Sequence, residues 1–223
     1  MNYKMNEIRL VDRDKKIIKE IDRWRVCQGR HIKELAGFEG QRACDRRLRK
    51  LIEAGYVKRE KILYGVAGIY RITAKAKKLM KEQLPNAHRK IRIEQLTHDI
   101  AVLDTAIFLG QKQGIPFEDI TTEIELHRQD GFGVRKHRPD FVFTQNGKTV
   151  CVEVELTLKA KHRLDKNIKD NFLVYDRQIW VVPSLGTKIA KILTTSKAEY
   201  PNIELIELSK IQKEKEGEKN NHE

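Results

Sequence analysis

Three acidic residues in the C-terminal half of the chain flank a dipeptide that predicts a β-hairpin. Asn146-Gly147 lies between two runs of alternating apolar residues, and this pattern is the strongest short-range signal for a two-residue hairpin turn. Pairing the two strands through that turn places Asp140 directly opposite Glu153. Because side chains alternate along a strand, Asp140, Glu153 and Glu155 share one face of the predicted hairpin.

Directly opposed like charges destabilise a sheet, so this face needs a compensating group. The candidates are a divalent cation, a basic neighbour or a raised carboxyl pKa. Mg²⁺, with Mn²⁺ as a substitute, prefers hard oxygen ligands and is held by one or two carboxylates plus water. Near DNA, such a metal activates water for phosphodiester cleavage. The alternative is a solvated hairpin face on which Arg138 pairs with Glu155.

A second set of charged residues lies on a predicted helix that begins at Gln41 and ends at Gly55. Its inward stripe is apolar and consists of Cys44, Leu48, Leu51 and Ile52. That orientation leaves four arginines outward, namely Arg42, Arg46, Arg47 and Arg49. In the major groove, arginine contacts guanine with two hydrogen bonds or pairs with phosphate. The hairpin that follows carries further cations suited to the DNA backbone, namely Lys58, Arg59 and Lys61.

The net charge of +13 is confined to the first part of the chain. Residues 1–90 carry 25 Lys and Arg against 11 Asp and Glu, a net charge of +14, whereas residues 91–223 carry 20 against 21. A localised basic excess suits a polyanion, because each neutralised phosphate releases a counterion. The alternative is a surface that serves only solubility.

Other features argue against a membrane or secreted protein. No run approaches the ~20 apolar residues of a membrane span, and no signal peptide is visible. Cys27, Cys44 and Cys151 are widely separated and lack zinc-site spacing. We expect buried thiols in a cytoplasmic protein.

The elements around the arginines follow the order of a winged helix-turn-helix. The periodicity predicts a helix over 14–27, a short helix over 31–38, the arginine-bearing helix, strands over 58–66 and 68–73, and a helix from Thr73 to before Pro85. "LRKLIEAGYVKRE" resembles the junction between reader helix and wing in winged-helix regulators, and "YRITAKAKKL" resembles the segment after their wing, with Ala76 where glycine is frequent. The resemblance covers residues 14–82. The alternative is a winged helix used only for protein contacts.

A long amphipathic helix over residues 86–113, ended by Gly114, bridges to a region of different character. There, strands over 119–127, 139–145, 148–157, 178–183 and 203–208 are separated by helical stretches around 158–174 and 186–197. This order predicts an α/β domain around a central mixed sheet. The expected organisation is a winged-helix domain over 1–85, a bridging helix over 86–114, an α/β domain over 115–208 and a disordered tail over 209–223.

Pro139-Asp140, a hairpin and Glu153-Val154-Glu155 resemble the PD-(D/E)XK nuclease core, a restriction-endonuclease-like fold. The resemblance implies that Asp140 and Glu153 bind metal. It also implies a lysine two residues after the glutamate, where this chain has Glu155. Lys159 or Lys161 are candidate substitutes for that lysine. Either Glu123 or Glu125 is a candidate for the upstream acid that many members carry.

The order of the predicted elements along the chain is similar to that of the replication-relaxation family of plasmids and integrated mobile elements. "LTHDIAVLD" and "RPDFVF…VEVELTLKAKHRL" carry this similarity, which extends over residues 14–183. It implies a DNA-processing protein whose winged helix finds a duplex site. In the nuclease hypothesis Asp140 and Glu153 hold Mg²⁺, Glu155 assists, and Lys159 or Lys161 contacts phosphate.

Two alternatives to a nuclease remain open. One is a non-enzymatic transcription or origin regulator whose C-terminal domain serves dimerisation or partner docking. The other is an adaptor in a replication or conjugation complex. The expected partners are double-stranded DNA, a second copy of the chain, and replication or conjugation proteins.

Overall fold

The structure is a computed structural model that describes residues 8–62, 64–80, 93–130, 133, 136–158 and 160–212. The chain divides into two compact units, Met1–Leu103 and Asp104–Glu223. We call them the N-terminal unit and the C-terminal unit. The division falls inside helix α5 (Ile93–Gln113), within the segment predicted as a bridge. Residues 86–92 of the predicted bridging helix lie outside the described residues.

The N-terminal unit combines helices with a small antiparallel sheet. Its elements are α1 (Asp12–Arg23), β1 (Cys27–Gln28), α2 (Gly29–Leu35), α3 (Gln41–Glu53), β2 (Val57–Glu60), β3 (Ile69–Ile72), α4 (Ala74–Met80) and the start of α5. The strand order is β1-β3-β2, and both pairings are antiparallel.

Apolar stripes at helical spacing build the core of this unit. Ile17, Ile18 and Ile21 of α1 are at most 1% exposed, as are Cys44, Leu48 and Leu51 of α3. Helix α3 ends at Glu53 and is followed by Gly55, whose φ of 74° is the left-handed conformation that glycine adopts without a Cβ clash. Two backbone hydrogen bonds close this end, from Gly55 N to Ile52 O and from Tyr56 N to Leu51 O, both 2.9 Å.

Helix α1 and strand β2 of the N-terminal unit end four and six residues before their predicted ends. Helix α1 stops at Arg23 because Arg25 has a positive φ of 62°, and Cys27 pairs with Tyr70 in the sheet instead of continuing the helix. Strand β2 stops at Glu60, because the chain then turns through a loop with Gly65 at a φ of 74°. Residues 81–85, at the end of the helix predicted from Thr73, lie outside the described residues.

The C-terminal unit is built on a five-stranded mixed sheet, and this confirms the predicted mixed α/β architecture. Its elements are the rest of α5, a 3-10 turn (Phe117–Asp119), β4 (Thr121–Thr122), α6 (Glu123–Gln129), β5 (Phe141–Gln145), β6 (Lys148–Val154), α7 (Lys161–Phe172), β7 (Arg177–Val182), α8 (Lys188–Ser196) and β8 (Ile203–Glu207). The strand order is β4-β5-β6-β7-β8. The first two pairings are antiparallel and the last two are parallel.

The β5–β6 hairpin has the register predicted from its turn. Gln145 pairs with Lys148 and Phe141 pairs with Val152. Extending this register by one residue places Asp140 directly opposite Glu153. Asn146 and Gly147 have φ values of 51° and 74°, and two successive positive φ angles are what a type I′ turn requires.

The strand predicted over residues 119–127 is wrong. Only Thr121–Thr122 is extended, and α6 follows immediately. Thr122 and Glu125 form a capping box, in which Thr122 N donates to Glu125 Oε2 at 2.9 Å and Glu125 N donates to Thr122 Oγ1 at 3.4 Å. The alternating pattern that suggests a strand therefore contains a helix start signal, and Glu123 and Glu125 lie in the first helical turn.

The disorder predicted from residue 209 does not begin there. Residues 208–212 are helical, and the side chain of Ile211 is fully buried, so it anchors this segment to the core. Residues 213–223 lie outside the described residues. Among the helices that the structure describes, none combines the length and the apolar character needed to cross a bilayer.

Candidate nucleic-acid interface and acidic cluster

Helix α3 presents a stripe of three exposed arginines, Arg42, Arg46 and Arg49. At 100° per residue these side chains lie within about 60° of one another around the helix. The buried stripe of α3 lies on the opposite side, so the core packing holds the arginines outward. This is the surface that the sequence predicts to contact DNA.

Arg47 does not share that stripe, so its predicted outward position is wrong. Its Nε donates to Asp14 Oδ1 at 2.6 Å, and a second guanidinium nitrogen bonds the other carboxylate oxygen. Asp14 is fully buried, and it also accepts a hydrogen bond of 2.8 Å from Val11 N. The hydrogen bond to Asp14 raises the pKa of Arg47. Arg47 therefore fastens α3 to the start of α1.

An exposed acid borders the arginine stripe. Asp45 accepts a hydrogen bond of 2.8 Å from Gln41 Nε2, one turn earlier on α3. Asparagine and glutamine side chains pair with adenine, and carboxylates accept from the exocyclic amine of cytosine. The sequence pattern does not predict this polar pair, because Asp45 and Glu53 are two acids on a helix with five basic residues.

Strand β2 and the loop that follows it carry exposed cations and an aromatic ring. Arg59 and Lys61 are exposed, and the Lys61 ammonium lies 5.7 Å from the centre of the Tyr64 ring, which is 98% exposed. Lys58 instead pairs with Glu60 at 2.5 Å. Of the three cations predicted for this hairpin, Lys58 is therefore engaged in an ion pair within its own strand, whereas Arg59 and Lys61 are exposed.

In the C-terminal unit, Glu153 is the centre of a buried polar cluster. It is 3% exposed, and its Oε1 lies 2.6 Å from His137 Nε2 and accepts a hydrogen bond of 3.0 Å from Asn171 Nδ2. Asp140 Oδ2 accepts a hydrogen bond of 2.7 Å from Val154 N, across the hairpin. Burial raises the pKa of Glu153 and the charge of Asp140 raises it further, whereas His137 and Asn171 act in the opposite direction.

These contacts overturn the alternative of a solvated hairpin face. Glu155, like Glu153, is buried, with 2% exposure. Arg138 pairs with Asp130 through a bidentate contact that includes an Nε–Oδ2 distance of 3.0 Å. That hydrogen bond lowers the pKa of Asp130. The acidic residues are therefore enclosed in a protein network that also compensates part of their charge.

The predicted metal ligands fit Mg²⁺ only in part. Asp140 and Glu153 offer hard oxygen atoms, but each already uses one carboxylate oxygen in the hydrogen bonds above. Within the described ranges, no group of three or more His, Cys, Asp or Glu side chains is arranged to hold a metal ion. Lys159 lies outside the described residues, and Lys161 is exposed at the start of α7.

The two candidates for the upstream acid have different surroundings. Glu125 is engaged in the capping box of α6. Glu123 lies beside the cluster, because its backbone N donates to Asp140 O at 2.9 Å, and its side chain is 3.6 Å from His127 Nε2. Of the two, Glu123 is the one whose backbone is joined to Asp140.

Sequence reasoning missed His137, Asn171, Asp14 and Asp130 as partners of the charged residues. His137 lies close to Asp140 in the chain, but nothing in that spacing indicates a contact with Glu153. Asn171 and Asp14 contact residues 18 and 33 positions away, and pairings over such separations follow only from the tertiary fold.

The fold and these sites define a mixed α/β protein with a basic, arginine-bearing helix in one unit and a buried acidic cluster in the other. The family model described as replication-relaxation matches residues 18–173, which include most of both units. The chain belongs to this family. No curated protein and no solved structure matches the chain significantly.

Proposed function

We propose that the protein binds double-stranded DNA through its N-terminal unit. We interpret this unit as a winged helix-turn-helix, with α3 as the reader helix and the β2–β3 hairpin as the wing. The observation that carries the proposal is the single exposed stripe of Arg42, Arg46 and Arg49 on α3. The concentration of net positive charge in residues 1–90 supports it.

The dimensions of α3 suit the major groove. Its 13 residues give a length of about 20 Å at 1.5 Å per residue, and the groove admits an α-helix. Arginines on its exposed face then reach guanine edges or phosphates. Arg59 and Lys61, on the hairpin, are placed for contacts with the DNA backbone.

Family membership connects the chain with replication or relaxation, the processes in the family's name. We therefore propose that the bound duplex belongs to a plasmid or mobile element. We further propose that two copies of the chain bind a two-fold symmetric site. Replication or conjugation proteins are the proposed protein partners. The spacing of half-sites in selected DNA tests the dimer, since it follows the helical repeat.

The binding experiment measures the affinity of the full chain for a pool of random-sequence duplexes of about three helical turns. The variant is Arg42→Ala/Arg46→Ala, and the matched control is Lys19→Ala/Lys78→Ala, which removes two exposed cations elsewhere in the same unit. We expect weaker binding of the first variant by at least about tenfold and little change in the control. Equal affinities of both variants would contradict the role of α3.

A second candidate function is metal-dependent strand cleavage. It is favoured by the opposed positions of Asp140 and Glu153 in the register of the hairpin. The order of elements around the hairpin supports it through its resemblance to the PD-(D/E)XK core. Asp140 and Glu153 would hold Mg²⁺, which when bound supplies activation of water and stabilisation of a charged phosphate. Glu155 in place of the motif lysine favours DNA binding without cleavage, as in an origin or transcription regulator.

Cleavage is tested by incubating the full chain with supercoiled plasmid and Mg²⁺ or Mn²⁺. Asp140→Asn and Glu153→Gln are the test variants, because each keeps its side-chain size and hydrogen-bonding capacity. Nicking by the wild type and its loss in both variants would support an enzyme. Tight binding without nicking would favour the regulator.

A further inference from the structure

We propose that the outer surface of helices α7 and α8 is a second DNA-binding surface, which holds the phosphate backbone without reading the base sequence. We call it the α7–α8 face. The proposal rests on the proposed function, since it adds a second contact to the same duplex. It belongs to the C-terminal unit and does not involve the acidic cluster.

The sheet topology places the two helices side by side. Strands β6, β7 and β8 are parallel neighbours in that order, and such crossover connections are right-handed in nearly all proteins. Two right-handed crossovers in the same direction put both helices on one side of the sheet. Leu164 and Ile168 of α7 and Ile189 and Leu193 of α8 accordingly pack into one apolar cluster around Trp180.

The exposed side of this helix pair is strongly basic. Seven exposed cations lie on it, namely Lys161, Arg163, Lys166, Lys169, Lys188, Lys191 and Lys197 at the C-terminal cap of α8. The acids of the same two helices are Asp165 and Asp170, and Asp170 pairs with Lys166 at 2.5 Å. The α7–α8 face therefore has a formal net charge of +5.

The remainder of the C-terminal unit has the opposite charge. Outside the face, its described residues that are not buried comprise 7 Lys and Arg against 10 Asp and Glu, a net charge of −3. A surface that serves only solubility needs mixed signs without large patches of one sign. This segregation instead gives the unit one positive side, which attracts a polyanion and orients it towards α7 and α8.

The type of cation distinguishes this face from α3. Six of its seven cations are lysines, whose ammonium groups are flexible point charges suited to phosphate. Helix α3 presents arginines, whose planar guanidinium groups match the two acceptors of guanine. We infer that α3 supplies sequence recognition and that the α7–α8 face supplies sequence-independent affinity.

The experiment compares the full chain with Lys169→Gln/Lys188→Gln/Lys191→Gln. The matched control is Lys112→Gln/Lys136→Gln/Lys148→Gln, which removes three exposed lysines of the same unit outside the face. Affinity is measured against salt concentration on a duplex of about one helical turn and on one of about four turns. Circular dichroism verifies that both variants are folded.

On the long duplex we expect the slope of log K against log salt to fall by up to about 2.7 in the test variant, since each phosphate contact contributes about 0.9. The control variant should keep the wild-type slope, and the short duplex should bind all three proteins alike. If the test variant matches the control on the long duplex, the α7–α8 face does not bind DNA. If the wild type binds neither duplex, the proposed function itself fails.

Discussion

The variant Arg47→Ala tests whether Arg47 has a structural role, in contrast to the DNA-contacting role proposed for the exposed arginines of α3. The change leaves the carboxylate of Asp14 fully buried without the guanidinium that neutralises it. Removing one partner of a buried ion pair costs about 3–5 kcal/mol. Because the Arg47 side chain is 23% exposed and water can enter after its removal, we expect the lower end, about 3 kcal/mol.

Two comparison variants sharpen this prediction. Arg46→Ala removes an exposed arginine from the same helix and should change stability by no more than about 0.5 kcal/mol. Arg47→Lys keeps the charge but loses the two-pronged geometry, and we expect an intermediate cost of about 1.5 kcal/mol for one charged hydrogen bond.

Urea unfolding followed by circular dichroism measures these differences, with an unchanged m-value as the condition for comparing free energies. The double variant Asp14→Asn/Arg47→Ala should be more stable than the sum of its single changes indicates, because it removes the stranded charge. If Arg47→Ala is as stable as Arg46→Ala, the assignment of Arg47 as a structural anchor is refuted.

Three further predictions concern the cluster and the DNA surface. Glu153→Gln should raise the melting temperature at about pH 8 and lose that advantage at about pH 4. The pKa of Glu153 is raised in the folded protein, so the protonated carboxyl favours the folded state below the unfolded-state pKa, and this stabilisation is lost as the pH rises through the folded-state pKa. An equal effect at both pH values would contradict the raised pKa. Lys61→Gln should lower the slope of log K against log salt by about 0.9, because it removes one phosphate contact. Tyr64→Ala removes no charge and should leave that slope unchanged. A fluorescence anisotropy titration of each variant at several salt concentrations checks both. Asp45→Ala should relax base preference at one position of selected sites, at a cost of about 1–3 kcal/mol for the preferred base, and identical selected sites would exclude Asp45 as a base contact.

The parts of the fold that were predicted correctly depend on local signals. Asn146-Gly147 determines both the turn type and the register of its hairpin, so the level positions of Asp140 and Glu153 follow from the sequence. The inward stripe of α3 likewise predicts which face carries Arg42, Arg46 and Arg49.

The parts that were missed depend on competing or distant signals. The segment after Thr122 alternates like a strand, but its capping box with Glu125 favours a helix. Arg47 lies at the border of the inward stripe, where helical periodicity alone does not decide its direction, and its partner Asp14 is on another helix. The burial of Glu153 depends on Asn171, which α7 brings back over the sheet.

Methylation interference at guanine N7 tests the central claim most directly. Sites selected from random duplexes by the full chain are treated with dimethyl sulfate, and bound and free fractions are compared for the wild type and for Arg42→Ala/Arg46→Ala/Arg49→Ala. If α3 lies in the major groove, methylation of particular guanines blocks wild-type binding, because arginine contacts N7 and O6 there. The triple variant should lose this interference together with its site preference. Tight, site-specific binding by the wild type without any guanine N7 interference, or the same interference pattern in the triple variant, would contradict the proposal that α3 reads DNA.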